Sequence, residues 1–322
     1  MKLAFRKVLV TGGAGFIGSH IVDRLIREGL EVTIIDNFET GSLANLAHRK
    51  EKNLHLVKGD IRDVGLLKNA MKDVEAVFHE AASVDIASSI RDPILTNDIN
   101  VGGTLNLLEA SCDSGVKRFI FASSAAVYGN EEVAKKKEDD PLNPVSPYGV
   151  SKLAADSFVR TYHKIYGLQT VCLRYFNVYG PRQRADVHGS YGGVISIFIN
   201  RLLKELPPLI YGDGQQTRDF VYVKDVVEAN ILALNRKDAS GEAFNIGNGT
   251  CISINQIAEM LKHRLNRRDL KNVYVEARLG DPRCGYADIS KARAILGYKP
   301  QFRIEAGIFE LLEWYKTVGL PN

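Results

Sequence analysis

The chain has 322 residues, 45% of them hydrophobic and 25% charged, with a formal net charge of +4. That length suits one large or two intimate domains with a full core, and the charge excess is too small to call for nucleic acid or a membrane surface as partner. Cys112, Cys172, Cys251 and Cys284 are scattered singly, which indicates neither a disulfide framework nor a metal site, and no apolar run is long enough to span a bilayer; a cytoplasmic protein without metal is expected.

Strand-like and helix-like runs alternate through the first half, the pattern of a doubly wound parallel sheet. Residues 7–10 form the first strand and run straight into Thr11-Gly12-Gly13-Ala14-Gly15-Phe16-Ile17-Gly18. Within it, Gly13-x-Gly15-x-x-Gly18 gives a tight turn, lets a pyrophosphate approach without a Cβ in the way, and lets the next helix pack close to its strand. That helix, residues 16–28, would aim its positive N-terminal end at the anion. A second strand over 32–35 ends at Asp36, eighteen residues after Gly18, where a carboxylate can accept hydrogen bonds from an adenosine ribose. The same carboxylate would repel a 2′-phosphate, so NAD is preferred over NADP.

The segment 38–52 reads as a polar, helix-prone connection, followed by strands over 54–57, 74–79, 118–122 and 170–174 with helices near 64–71, 101–114 and 152–166. The charge run 135–140 reads as a solvated loop. After Arg174 the alternation breaks at a polar, glycine-rich loop, and a helix over 194–203 opens a second domain. Strands over 220–223 and 243–246, separated by a helix over 226–234, would return the chain to the edge of the main sheet, and residues 254–265, 273–276 and 304–315 complete a smaller α/β piece. The expected organisation is a Rossmann domain (1–178 plus 220–246) with a smaller, interleaved C-terminal α/β substrate domain (179–219 plus 247–322).

Tyr148 and Lys152, four apart, share one helical face, and Ser123-Ser124 closes the strand before them. A free tyrosine is about 0.1% ionised at neutral pH, so its use as a base requires a lowered pKa. The nearby ammonium would supply part of that lowering, and the positive ring of oxidised nicotinamide more.

These motifs, together with Gly59-Asp60-Ile61-Arg62, His79-Glu80-Ala81-Ala82, Arg174-Tyr175-Phe176-Asn177 through Gln183, and Tyr211-Gly212-Asp213-Gly214 through Phe220, resemble the extended short-chain dehydrogenase/reductase family over nearly the whole chain. Within it the chain is similar to the nucleotide-sugar 4-epimerases. The resemblance implies that Gly12, Gly15, Phe16, Ile17, Asp36, Asn37, Asp60, Ile61, Ala81, Ala82, Asn100 and Tyr175 line NAD, with Asp60 on the adenine and Ile61 across its face. Tyr148 would be the base, and Lys152 its activator and ribose anchor. Ser124, preferred over Ser123, would hold the sugar 4-oxygen. Asn177, Val194 and Tyr211 would line the sugar nucleotide, Arg218 and Arg278 would clamp its diphosphate, and Asp281 would hold its ribose.

Where related 4,6-dehydratases carry Asp-Glu directly after the catalytic hydroxyl residue, this chain has Ala125-Ala126, which disfavours elimination and decarboxylation. The expectation is therefore reversible hydride chemistry: a UDP-sugar 4-epimerase with tightly kept NAD, working through a transient 4-keto sugar. Val84 stands where some galactose epimerases have a lysine. Gly285 aligns with the gate beside the sugar and leaves room for a 2-acetamido group, and residues 189–195 look like the loop of N-acetylhexosamine epimerases. UDP-N-acetylglucosamine is thus expected beside UDP-glucose. The alternatives are a UDP-glucuronate 4-epimerase, a CDP-sugar 2-epimerase or 4-ketoreductase and, remotely, a non-catalytic NAD sensor. A homodimer through helices 101–114 and 152–166 is expected by analogy.

Overall fold

Seven parallel strands form the central sheet of the computed structural model, which describes residues 4–46, 50–130, 135–184, 193–277 and 283–318. β1 (Lys7–Thr11), α1 (Phe16–Arg27), β2 (Glu31–Asp36), β3 (Leu54–Lys58), α2 (Val64–Ala70) and β4 (Ala76–His79) build its first half. α3 (Ile86–Arg91), α4 (Pro93–Asn97), α5 (Gly103–Asp113), β5 (Arg118–Ser124), the short β6 (Lys135–Lys136), α6 (Pro147–Tyr166) and β7 (Gln169–Tyr175) follow. β8 (Asn177–Tyr179), α7 (Val194–Leu203), β9 (Leu209–Tyr211), β10 (Thr217–Arg218), β11 (Phe220–Tyr222), α8 (Val223–Asn235) and β12 (Glu242–Ile246) then lead to β13 (Ile252–Ser253), α9 (Ile254–Arg264), β14 (Val273–Val275), β15 (Tyr286–Ala287) and α10 (Ile304–Val318).

The sheet order is β12-β7-β5-β4-β1-β2-β3, so the strand order reverses between β1 and β4, the switch point at whose carboxyl ends open α/β sheets form their ligand crevice. Inner strands such as Val8, Leu9 and Val10 are apolar without alternation because helices cover both faces. One face packs on α1 and α8 through Ile21, Val22, Leu25, Val226 and Ile231; the other packs on α2, α5 and α6 through Leu67, Leu107, Ala155 and Val159. The registers Thr11↔His79, His79↔Phe121 and Ser124↔Tyr175 bring the four carboxyl ends together.

Four sequence expectations change. β11 does not join the main sheet: it pairs with β8, sending Phe220 and Tyr222 into a smaller core with Ile195, Phe198, Ile257 and Ile308, and Val221 into the large one. One strand thereby serves two cores. Segment 38–52 forms only a short turn, Leu43–Asn45, among its described residues, because the Ser42 amide and the Asn45 side chain both bond the carbonyl of Ala14. Helix α6 starts five residues earlier than expected, where Ser146 caps the amide of Gly149 and Pro147 takes the first turn. The charge run 135–140 is not simply solvated, since Lys136 is buried in β6 against β15 and Glu138 accepts from the Asn245 amide at 2.8 Å.

Candidate functional site

At the end of β1 the Gly12 amide bonds the Ile35 carbonyl and the Gly15 amide returns to Gly12, closing a tight turn. Gly12 has φ +66°, and a Cβ there would lie 2.8 Å from the Ala81 amide nitrogen; one on Gly18 would lie 2.2 Å from the Gly12 carbonyl oxygen. Any side chain at either position would push the turn off β4 or the helix off the turn. α1 starts at Gly15 with no side-chain cap and no acidic residue in its first turn, so its positive end is not neutralised locally. Asp36 is buried and takes the amides of Ala14 at 2.9 Å and Phe38 at 2.8 Å, which aims its carboxylate while leaving lone pairs for a diol. This cradle fits a dinucleotide.

Asp60 is gripped by Arg62 at 3.0 and 2.9 Å and by the Asn37 amide at 3.3 Å, and the Arg62 hydrogen bonds hold its carboxyl below the usual range. Ile61 is buried beside Gly103, with no room for a Cβ between them. Asn100 bonds both the amide and the carbonyl of Ser83, at 2.7 and 2.9 Å, pinning the strand of chain that holds Ala81 and Ala82.

Ser124, Tyr148 and Lys152 meet where β5 ends under the start of α6. Ser124 hydrogen-bonds the Tyr148 phenol, and its Oγ accepts the Ala126 amide at 3.2 Å. Ser123 instead donates to buried Asp156 at 2.7 Å. Buried Lys152 donates to the Ala122 carbonyl at 2.9 Å and lies 5.0 Å from the centre of the Phe121 ring. Burial draws its ammonium down to about 8, and the Glu80 carboxylate opposes that. The expected lowering of Tyr148 by Lys152 is not found: burial pushes the phenol up, and the bond from Ser124 is what opposes it. Lys152 spends its nearest bond on the strand, and the protein alone does not ionise the tyrosine.

Glu80 received no role from its motif, yet it sits in this cluster. Burial raises it to about 7, and it accepts from the Tyr175 hydroxyl at 3.0 Å, which itself takes the Asn230 amide at 2.7 Å. His79, Asp156 and Asn230 were likewise missed. His79 and Glu80 both lay inside the motif His79-Glu80-Ala81-Ala82; what His79, Asp156 and Asn230 do there depends on contacts 25 to 68 residues away, which carry little local signal.

On the smaller lobe, Asn177 donates to the Asp219 carbonyl at 3.0 Å, Val194 begins α7, Tyr211 ends β9, and Arg218 in β10 donates to the Thr217 carbonyl. Buried Asp219 collects the amides of Asn248, Gly249 and Ala287 and so ties the lobe together. A Cβ on Gly285 would meet nothing within 4 Å. Arg278, Asp281 and residues 189–192 lie outside the described residues. Among the described residues no cluster of His, Cys, Asp or Glu is placed to hold a metal, and no helix is long and apolar enough to cross a membrane.

Residues 8–247 match the model of the NAD dependent epimerase/dehydratase family. The chain is 37% identical over 317 residues to a UDP-glucose 4-epimerase of Mycolicibacterium smegmatis, covering 97% of this chain and 99% of that one. The Thermotoga maritima UDP-glucose 4-epimerase, solved with UDP-glucose, superposes with a TM-score of 0.90 at 39% identity, covering 97% of this chain and 99% of the other. A UDP-N-acetylglucosamine 4-epimerase from Methanobrevibacter ruminantium, solved in complex with UDP-N-acetylmuramic acid, superposes with a TM-score of 0.92 at 39% identity, covering 98% and 99%.

Proposed function

The chain belongs to the NAD dependent epimerase/dehydratase family, and from that premise we propose that it is a UDP-sugar 4-epimerase that interconverts UDP-glucose and UDP-galactose. The observation that carries this reading is the Ser124, Tyr148 and Lys152 cluster at the crevice beside the glycine turn, with Ala125 and Ala126 in place of a second acid and base.

NAD would lie against Gly12, Gly15, Phe16 and Ile17, with its adenosine ribose on Asp36 and its adenine near Asp60 and Ile61. Ala81, Ala82, Asn100 and Tyr175 would line its other half. When bound, it supplies a hydride acceptor that can return what it takes, and a positive charge beside Tyr148. Tyr148 would take the proton of the sugar 4-hydroxyl and give it back on the other face. Ser124 would hold the 4-oxygen and bond the phenolate, and Lys152 would keep a positive charge in a buried place where Coulomb interactions are strong. Asn177, Val194, Tyr211 and Arg218 would face the sugar nucleotide, joined by Arg278 and Asp281.

The open space at Gly285 favours acceptance of a 2-acetamido group, so UDP-N-acetylglucosamine is proposed as a second substrate. A homodimer is proposed through α5 and α6, where Val150, Phe158, Ile165 and Tyr166 of α6 are exposed apolar side chains that a second copy would cover. The cytoplasm is proposed as its compartment, in keeping with four free cysteines. Incubating the purified protein, without added cofactor, with UDP-glucose, UDP-N-acetylglucosamine, UDP-glucuronate and a CDP-sugar tests the reading. Epimers of the first two are expected; a product from the CDP-sugar alone would overturn it.

A further inference from the structure

His79, at the end of β4, is buried, and both its ring nitrogens are engaged: Nδ1 lies 2.7 Å from the hydroxyl of Thr11 and Nε2 lies 2.9 Å from the hydroxyl of Thr104. The outer partners fix the direction of these bonds. Thr104 donates its only hydroxyl proton to the Asn100 carbonyl at 2.6 Å, so toward His79 it can only accept, and Nε2 must carry a proton. A neutral ring then leaves Nδ1 as acceptor for the Thr11 hydroxyl, whose oxygen in turn takes the Ala81 amide at 3.3 Å. Beyond Asn100 the line continues: its side-chain amide donates to the Ser151 hydroxyl at 2.9 Å, and Ser151 donates to the Tyr148 carbonyl at 2.8 Å.

We propose that His79, held as one neutral tautomer, is a positioning residue that joins the glycine turn to the catalytic helix through a single one-directional line of hydrogen bonds, and so sets the loop of Ala81, Ala82 and Ser83. The line runs from the Ala81 amide through Thr11, His79, Thr104, Asn100 and Ser151 to the backbone of Tyr148. It holds the loop at both ends, because Thr11 takes the Ala81 amide while Asn100 brackets the Ser83 amide and carbonyl. The surroundings favour the neutral ring. Phe119 and Phe121 pack against it, at centroid separations of 6.0 and 5.5 Å, and among the described residues Lys152 is the charged group that acts on it. Burial, helped by that ammonium, lowers the imidazole to about 3. Asn100 lies in the wide turn Asp98–Gly102, and its side chain serves Ser83 and Ser151 at once.

That this loop lines NAD rests on the reading given under Proposed function; the line itself does not. The test uses the full-length protein as purified. Nitrogen-15 spectroscopy of wild type should find His79 protonated on Nε2 alone, with no titration between pH 5 and 8, where a free imidazole changes charge. His79→Phe should speed amide exchange at Ala81 and Ser83 about tenfold or more. It should also lower the fraction of protein that copurifies with NAD and cut kcat about 10- to 100-fold, with KM for the sugar nucleotide nearly unchanged. His79→Gln, whose amide can accept on one side and donate on the other, should recover much of each loss. If His79→Phe does not fold, Thr104→Val cuts the same line with little change in volume, and Thr104→Ser should restore it. A proton on Nδ1, titration within that range, or wild-type exchange at Ala81 and Ser83 in both cut variants would overturn the proposal. A wild type that lacks epimerase activity while the tautomer and exchange results hold would overturn only the functional reading.

Discussion

Ser123 donates its hydroxyl to Asp156 at 2.7 Å, and Asp156 receives the guanidinium of Arg174 at 3.1 Å, so of two adjacent serines Ser124 alone bonds Tyr148. Their side chains point to opposite faces of β5, one into a buried ion pair and one into the crevice. Ser124→Ala should therefore lower the epimerisation rate about 10²-fold to 10³-fold. Ser123→Ala should leave the rate within a few-fold and cost about 1.5–3 kcal/mol of stability, as expected for a buried bond to a charged group. Initial rates and urea unfolding of the two variants separate these roles; the reverse ranking of rates would contradict the assignment.

Asp156 and Arg174 are almost wholly buried, with side-chain exposures of 1% and 0%. Removing one partner leaves an uncompensated charge in the core, so Asp156→Leu should cost about 3–5 kcal/mol. Arg174 also bonds Tyr128 at 3.0 Å and the Glu138 carbonyl at 3.0 Å, so the double replacement Asp156→Leu with Arg174→Leu should be less damaging than the sum of the two single ones. A double-mutant cycle on unfolding free energies reads this directly; strict additivity would show that the pair is not coupled.

The charge of Lys152 sets a pH limb. Its pKa is drawn to about 8 by burial, so the cation present below that value is lost as pH rises through it, and the rate should fall on that alkaline side. Glu80 is the anion that holds this pKa up. Glu80→Gln removes that support, and the limb should move to lower pH. A rate profile whose limb moves upward in this variant would contradict the coupling.

Gly285 has open space where a side chain would begin. Gly285→Tyr should fill that space and reduce turnover of UDP-N-acetylglucosamine about 10- to 100-fold while leaving UDP-glucose within a few-fold. Equal losses on both substrates, measured as kcat/KM, would mean that the space does not adjoin the 2-position of the sugar.

What was legible in the sequence was local. The glycine turn, Asp36 eighteen residues later and the Tyr148 to Lys152 spacing each announce themselves within one strand, turn or helix face, and the structure gives each a local geometry: a turn with no room for a Cβ, a carboxylate held by the Ala14 amide, and an ammonium on the Ala122 carbonyl. What separates Ser123 from Ser124 is not local: Ser123 is engaged by Asp156, on another element. What was hidden depends on distant partners. β11 looks like any strand until β8 claims it, and Lys136 looks solvated until β15 covers it. His79, Asp156 and Arg174 are polar residues of the kind usually found at the surface, and only long-range pairing makes their burial tolerable. The rise in Tyr148 was hidden for another reason: helix spacing places Lys152 one turn away but does not reveal that its ammonium bonds Ala122.

The central claim is that a hydride leaves carbon 4 of the sugar and the same hydride returns. The measurement that tests it most directly is incubation of the purified protein with UDP-glucose deuterated at carbon 4, in ordinary water and without added cofactor, followed by mass and NMR analysis of the product. The account predicts UDP-galactose with the deuterium retained at carbon 4. Loss of the deuterium to water, or turnover only when nicotinamide cofactor is supplied and consumed, would contradict it.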